Sequence, residues 1–260
     1  LPPREAGPKA KAAALQAVLL DDDSSGAHEA LAIVKSWTDW DWTGAAPEWR
    51  RALELDPNSA NTHAYYAHYL ANTGHVQEAL THSRRSLELD PFNALYHAMY
   101  AGVLKYARRY DDAQAESRLA LTMQPNLPPA LVTYRVCLFK KGRYDELIAD
   151  YREKLRNPEV LAEFERGVAS GGYAVGKRNM ADYWAARQDR PGAVSAHGIA
   201  HMYLEAGDYD RALDFFEKAC DERDPNTPYI GLPTYHDPLH TNPRYQALLR
   251  RMNLPTEETK

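Results

Sequence analysis

The chain has 260 residues, 44% of them apolar, enough to form one large core or two small ones. A formal net charge of −5 gives no help toward a nucleic-acid backbone, and no apolar run approaches the roughly 20 residues that cross a bilayer. The two cysteines, Cys137 and Cys220, are too few for a disulfide framework. They read as small apolar residues on packed helix faces, with a disulfide as the minor alternative.

No signal peptide is visible, and the chain opens on Leu1-Pro2 rather than Met, the latter as expected of a piece from within a larger protein. Residues 8–25 are Ala-rich and predict an N-terminal helix, which fits the second member of a helix pair whose first is missing. A repeat then takes over. Prolines 57, 91 and 125 stand 34 apart and close the related words Ala52-Leu-Glu-Leu-Asp-Pro57, Ser86-Leu-Glu-Leu-Asp-Pro91 and Ala120-Leu-Thr-Met-Gln-Pro125. Alanines 45, 79 and 113 keep the same step, as do Gly74 and Gly142, with Arg108 between them.

Each residue type suits a pair of antiparallel helices. Gly74, Gly142 and Gly207 fall where a left-handed residue ends the first helix. Tyr110, Tyr144 and Tyr209 follow two residues later and can cover the turn. Ala45, Ala79, Ala113 and Ala212 let two backbones approach, and the closing Pro stops the second helix. Trp37, Trp40, Trp42 and Trp49 crowd the first full repeat, either as core packing or as an anchor surface for a partner.

Residues 159–192 lose the motif, with 162–192 set apart from the repeat before it. They still predict helices over 160–169 and 173–188, broken at Gly171-Gly172 and stopped by Pro191-Gly192. The reading is a degenerate repeat, with an irregular insertion as the alternative. Residues 193–226 regain the pattern with Ala200, Tyr203, Gly207, Tyr209, Ala212, Phe216 and Ala219. Residues 227–260 begin with a loop over 229–241. A short capping helix follows, with Asn242 as N-cap, Pro243 in the first turn, and Tyr245, Leu248, Leu249 and Met252 on one face.

The register 26–59, 60–93, 94–127, 128–161 and 193–226 resembles the tetratricopeptide-repeat (TPR) family, whose period is 34 residues. The repeat from 128 departs from the family, with Arg135 and Leu147 where small residues are expected. The resemblance implies an all-α fold: one domain over 1–260, a right-handed superhelical solenoid of antiparallel helix pairs with a C-terminal capping helix. It implies a protein-interaction scaffold that binds a peptide or protein in a concave groove. The positions that family repeats turn to that groove are held here by Trp37, Tyr65, His68, Asn72, Met99, Lys105, Tyr106, Phe139, Lys140, His197, His201 and Glu205. The Lys and Asn clamp by which one subgroup holds chaperone tails is missing, since Ala64, His68, Ala98 and Gly102 stand there.

The closing words Asp237-Pro-Leu239, Asn242-Pro-Arg-Tyr-Gln-Ala-Leu-Leu-Arg-Arg-Met252 and Leu254-Pro255, with Trp37-Thr-Asp-Trp-Asp-Trp42, narrow the resemblance. They are similar to TPR regions that end bacterial winged-helix, nucleotide-cyclase or Ser/Thr-kinase signalling proteins. This implies a bacterial regulatory module in the cytoplasm, with the periplasm as the alternative.

Catalytic signals are weak. His197 and His201 lie one helical turn apart and could share a metal, but Gly198 stands where a metalloprotease helix carries Glu. His63 and His97 are 34 apart, so the repeat accounts for them. His236 and His240 flank Asp237 without a visible nucleophile. No Gly-x-Ser-x-Gly, Cys-x-x-Cys or phosphate loop occurs. The expectation is no enzyme, no cofactor and no metal, with a protein or peptide partner, no nucleic acid and no membrane. Self-association stays open. The alternatives are a small-ligand sensor and a histidine-based metal protein.

Overall fold

The computed structural model describes residues 3–190, 192–232 and 237–256, and every regular element among them is a helix. The Ala-rich start forms α1 (Pro3–Leu20), which begins before the expected residue 8 and carries Pro8 within it. Helix pairs follow: α2 (Ser25–Ile33) and α3 (Trp42–Leu55), α4 (Ala60–Asn72) and α5 (Val76–Leu89), α6 (Ala94–Tyr106) and α7 (Tyr110–Met123); after them come the helices α8 (Pro128–Lys140) and α9 (Tyr144–Lys154). Next come a long bent helix, α10 (Pro158–Ala185), the pair α11 (Ala196–Glu205) and α12 (Tyr209–Glu222), and a last helix, α13 (Pro243–Arg251). Short 3₁₀ turns occupy Thr227–Gly231 and Asp237–Leu239.

By packing, the chain falls into two compact units. The first joins Leu1–Cys137 with Pro228–Tyr235 and Leu249–Lys260; the second joins Leu138–Thr227 with His236–Leu248. The C-terminal stretch contributes residues to each unit.

In the first unit the repeat chemistry is regular. Ser24, Ser59 and Asn93 accept backbone N–H bonds at the starts of α2, α4 and α6. Ala45, Ala79 and Ala113 are fully buried where the helices of each pair meet, so a larger side chain there would overpack by about 1–3 kcal/mol. Gly74 takes a φ of 90° after α4, and Arg108 takes the same left-handed role after α6 at 59°. The first pair has one irregularity: α2 runs into a π-helical turn, Val34–Asp39, that ends at left-handed Trp40. Such a turn adds one residue to a helix.

In the second unit, the two halves of α10 meet at Gly171-Gly172, where helical geometry is lost. They fold back onto each other at glycines: a Cβ on Gly167 would sit 2.6 Å from the Gly176 backbone. Asn242 accepts the Arg244 N–H at 2.9 Å to start α13. Arg244 donates to Glu217 at 2.9 Å and to Asp214 at 2.6 Å on α12, and Tyr245 is fully buried. Thus the front of α13 covers the last repeat.

Candidate functional site

The first-helix positions of the first unit converge on a residue from far along the chain. Tyr229 stacks against Trp37 (centroids 6.4 Å apart, 30° between planes) and Tyr106 (6.4 Å, 14°). It meets His68 edge-on at 5.7 Å. His68 Nε2 lies 3.1 Å from the Met99 carbonyl, which can only accept, so that nitrogen carries the proton. Nδ1 is then free to accept from the Tyr229 hydroxyl, 3.2 Å away. Asn72 donates its amide to the His68 carbonyl at 3.0 Å and holds that turn of α4. Trp37 also meets Trp42, Trp49 and Tyr65 edge-on at 6.2–6.5 Å.

Burial sets the protonation of this cluster. It pushes the Tyr229 and Tyr106 hydroxyls above the usual phenol range and pulls His68 down to about 4. Lys105 is buried with its ammonium 4.4 Å above the Tyr106 ring, and burial lowers it to about 8. The rings therefore form a neutral slot for a phenol, with two stacking partners and one nitrogen acceptor.

Other C-terminal residues close the same unit. The Trp42 indole donates to the Met252 carbonyl at 2.7 Å, and Asn253 donates to the Trp40 carbonyl at 3.1 Å. Gly231 packs so closely on Leu254 that a Cβ there would come within 2.9 Å of its side chain.

The second unit uses different chemistry. Phe139 packs against Tyr144 and Tyr173 at 5.9 and 6.1 Å, and Lys140 pairs with Asp237 at 3.3 Å. Glu205 accepts from the Tyr173 hydroxyl and lies 3.1 Å from Lys177, which donates to the Tyr151 hydroxyl at 2.8 Å. Burial pulls Lys177 down, but Glu205 and Tyr151 outweigh it and leave the amine raised. His197 and His201 face each other with their Nε2 atoms 3.1 Å apart and press on Phe216 at 5.8 and 5.3 Å. Burial lowers His197 to about 4. Among the described residues no three His, Cys, Asp or Glu side chains gather as metal ligands would. His236 lies outside the described residues.

None of the twelve groove residues named from the sequence is openly exposed. Trp37, His68, Asn72, Met99, Lys105 and Tyr106 are buried, and Tyr65, Phe139, Lys140, His197, His201 and Glu205 are half-buried. The structure brings Trp37, His68 and Tyr106 together around Tyr229, and Glu205 together with Tyr173 and Lys177. Sequence reasoning left Tyr229 in a loop, gave Met252 only a place on the capping-helix face, and did not single out Tyr173 or Lys177. The one available signal was an unusual density of Tyr, Pro and His over 229–241.

Comparison with known proteins agrees with this architecture. A family profile described as tetratricopeptide repeat matches residues 48–81, and a second of the same description matches 193–226. No curated protein matches the chain. Among solved structures, the chain is similar to the APC/C hetero-tetramer Cut9-Hcn1, with 14% identity and a TM-score of 0.53, over 95% of this chain and 42% of that one. It is also similar to PilW, described as a widely conserved type IV pilus biogenesis factor, with 16% identity and a TM-score of 0.50, over 86% of this chain and 98% of that one. At these identities the likeness is one of fold. No helix among the described residues is long and apolar enough to cross a membrane.

Proposed function

We propose, since the chain belongs to the tetratricopeptide-repeat family, that it is a protein-interaction scaffold and that Trp37, His68 and Tyr106 read an aromatic side chain on a partner's extended segment. The observation that carries this reading is the seat of Tyr229. Two ring faces and one imidazole acceptor already grip a tyrosine presented by a short turn of the chain itself. Aromatic anchors in desolvated pockets dominate most interfaces of this kind, each costing about 2 kcal/mol or more when truncated.

A partner would compete with the chain's own Tyr229. Its apparent affinity is then reduced by the fraction of molecules in which the slot is open. The slot favours Tyr over Phe, because a phenylalanine leaves His68 Nδ1 without a donor. The test is a peptide array probed with wild type and with Tyr229→Ala. The expected result is weak capture of Tyr-bearing peptides by wild type and stronger capture by the variant. Capture that is unchanged by Trp37→Ala and Tyr106→Ala would put the site elsewhere.

The finer part of the proposal is a module of a bacterial signalling or regulatory protein, working in the cytoplasm. It rests on the words around Trp37–Trp42 and over 237–255. The identity of a captured partner decides it: a regulator or signalling enzyme supports it, and a structural subunit of an unrelated assembly sinks it.

A further inference from the structure

Three histidines, one per pair, fasten the first helix of a repeat to the second in the same manner. His28, His63 and His97 each place Nε2 within hydrogen-bond reach of the carbonyl just before their pair, that of Asp22 (3.0 Å), Pro57 (3.1 Å) and Pro91 (3.0 Å). Each turns Nδ1 to the second helix, where the partners are Glu48, His82 and Glu116, all at 2.7 Å. The three partners stand 34 residues apart. The histidines stand 35 and 34 apart, because the π turn inserts one residue between His28 and Glu48. The joints are thus one device repeated, and the middle one differs in a single group: histidine replaces glutamate.

We propose that the His63–His82 pair is a proton-operated joint, which holds α4 to α5 at neutral pH and lets go on acidification, while the two flanking His–Glu joints hold.

The hydrogen-bond inventory explains why. A carbonyl faces His63 Nε2, so that atom carries the proton and Nδ1 accepts. The bond to His82 therefore needs the proton on His82 Nδ1. A first added proton can go to His82 Nε2 and leave the bond intact with a charged donor. A second has only His63 Nδ1 to go to, which sets two N–H groups and two positive charges face to face. At a glutamate the same proton is welcome, because both ring nitrogens then meet oxygen acceptors.

The surroundings agree. Burial lowers His63, with Arg85 adding to it, and burial lowers His82, with His63 adding to it. At His28 burial is again the largest single influence and pulls down, but the bonds to Glu48 and to the Asp22 carbonyl, with the charges of both acids, together outweigh it and the ring is raised. The charged groups whose fields reach the middle pair are Asp56 ahead of α4 and Glu78, Arg85 and Glu88 on α5. The joint abuts the aromatic core, since Tyr66 meets His82 edge-on at 4.8 Å and stacks on Tyr69 at 5.7 Å.

The test compares the full chain as wild type, His82→Glu and His82→Gln, by thermal midpoint and amide exchange between pH 7.5 and 5. His82→Glu copies the flanking joints, and His82→Gln keeps a donor that cannot charge. Other buried histidines respond equally in all three and cancel. The wild-type midpoint should fall about 3 °C further than that of either variant. Amides of α4 and α5 should lose about tenfold protection at acid pH in wild type alone, while α6 and α7 keep theirs. If the glutamate form fails to fold, the glutamine form still decides. Equal midpoint slopes in wild type and variants, or exchange that rises evenly along all repeats, would overturn the proposal.

Discussion

In the first unit the first-helix positions are closed by rings: Trp37, His68 and Tyr106 surround Tyr229, and no charge-to-charge contact takes part. In the second unit comparable positions are closed by charge: Glu205 holds Lys177, two tyrosine hydroxyls complete the network, and Lys140 meets Asp237. One repeat architecture therefore supports two kinds of closure with different failure modes. Stacked rings lose stability in proportion to what is removed. A buried ion pair fails as a unit, because deleting one member leaves the other charged and dehydrated.

The largest expected effect follows from that difference. Lys177 is buried and Glu205 is nearly so, hence Lys177→Ala should destabilise by about 4 kcal/mol in urea denaturation. The double variant Lys177→Met with Glu205→Gln should recover most of the loss, since neither residue then carries a charge. A loss below about 1 kcal/mol for the single variant would mean that water reaches the pair and that the two closures do not differ in kind. Tyr229→Ala comes next. It should cost about 3 kcal/mol, the range for removing a buried ring, and should red-shift tryptophan emission as Trp37 meets solvent.

The two closures were unequally legible in the sequence. The helix pairs, their small alanines and their turn glycines could be read from the step of 34, because each is a local requirement repeated at fixed spacing. The ring closure could not. His68 and Tyr229 lie 161 residues apart, and Trp42 and Met252 lie 210 apart. Contacts at such separation leave no periodic trace, and Tyr229 sits in a Pro-rich stretch that reads as loop. The histidine joints were half visible. His63 and His97 share a repeat position, but the π turn displaces His28 by one, and the change from Glu to His at 82 hides the partner column. Arg108 shows the opposite case, where the backbone role of a turn glycine passes to a residue type that gives no hint of it.

A pH titration sharpens the comparison at intermediate size. His68 has a folded-state value of about 4 against 6.5 when unfolded, because burial disfavours its charged form. The folded protein then binds fewer protons, so stability is complete above pH 6.5 and declines as pH falls toward 4. Between pH 6.5 and 5 the loss from this one group should be about 2 kcal/mol. His68→Gln should start lower, having lost its bonds, yet show a flatter dependence by that amount. A parallel dependence in both forms would show that the ring is not sealed in the folded state.

The smallest expected effect is the most specific. Tyr229→Phe keeps both stacked faces and removes only the hydroxyl that donates to His68 Nδ1 at 3.2 Å. Were the slot held by ring packing alone, this variant would match wild type. With the bond counted, it should cost about 1 kcal/mol, since the hydroxyl leaves a buried acceptor behind. Replacing His68 by Gln in the Tyr229→Phe background separates the two accounts. The variants should then be non-additive by about the same 1 kcal/mol, as residues joined by one hydrogen bond are. Strict additivity would make Tyr229 a plug rather than a recognised residue, and the phenol preference proposed for a partner would lose its physical basis.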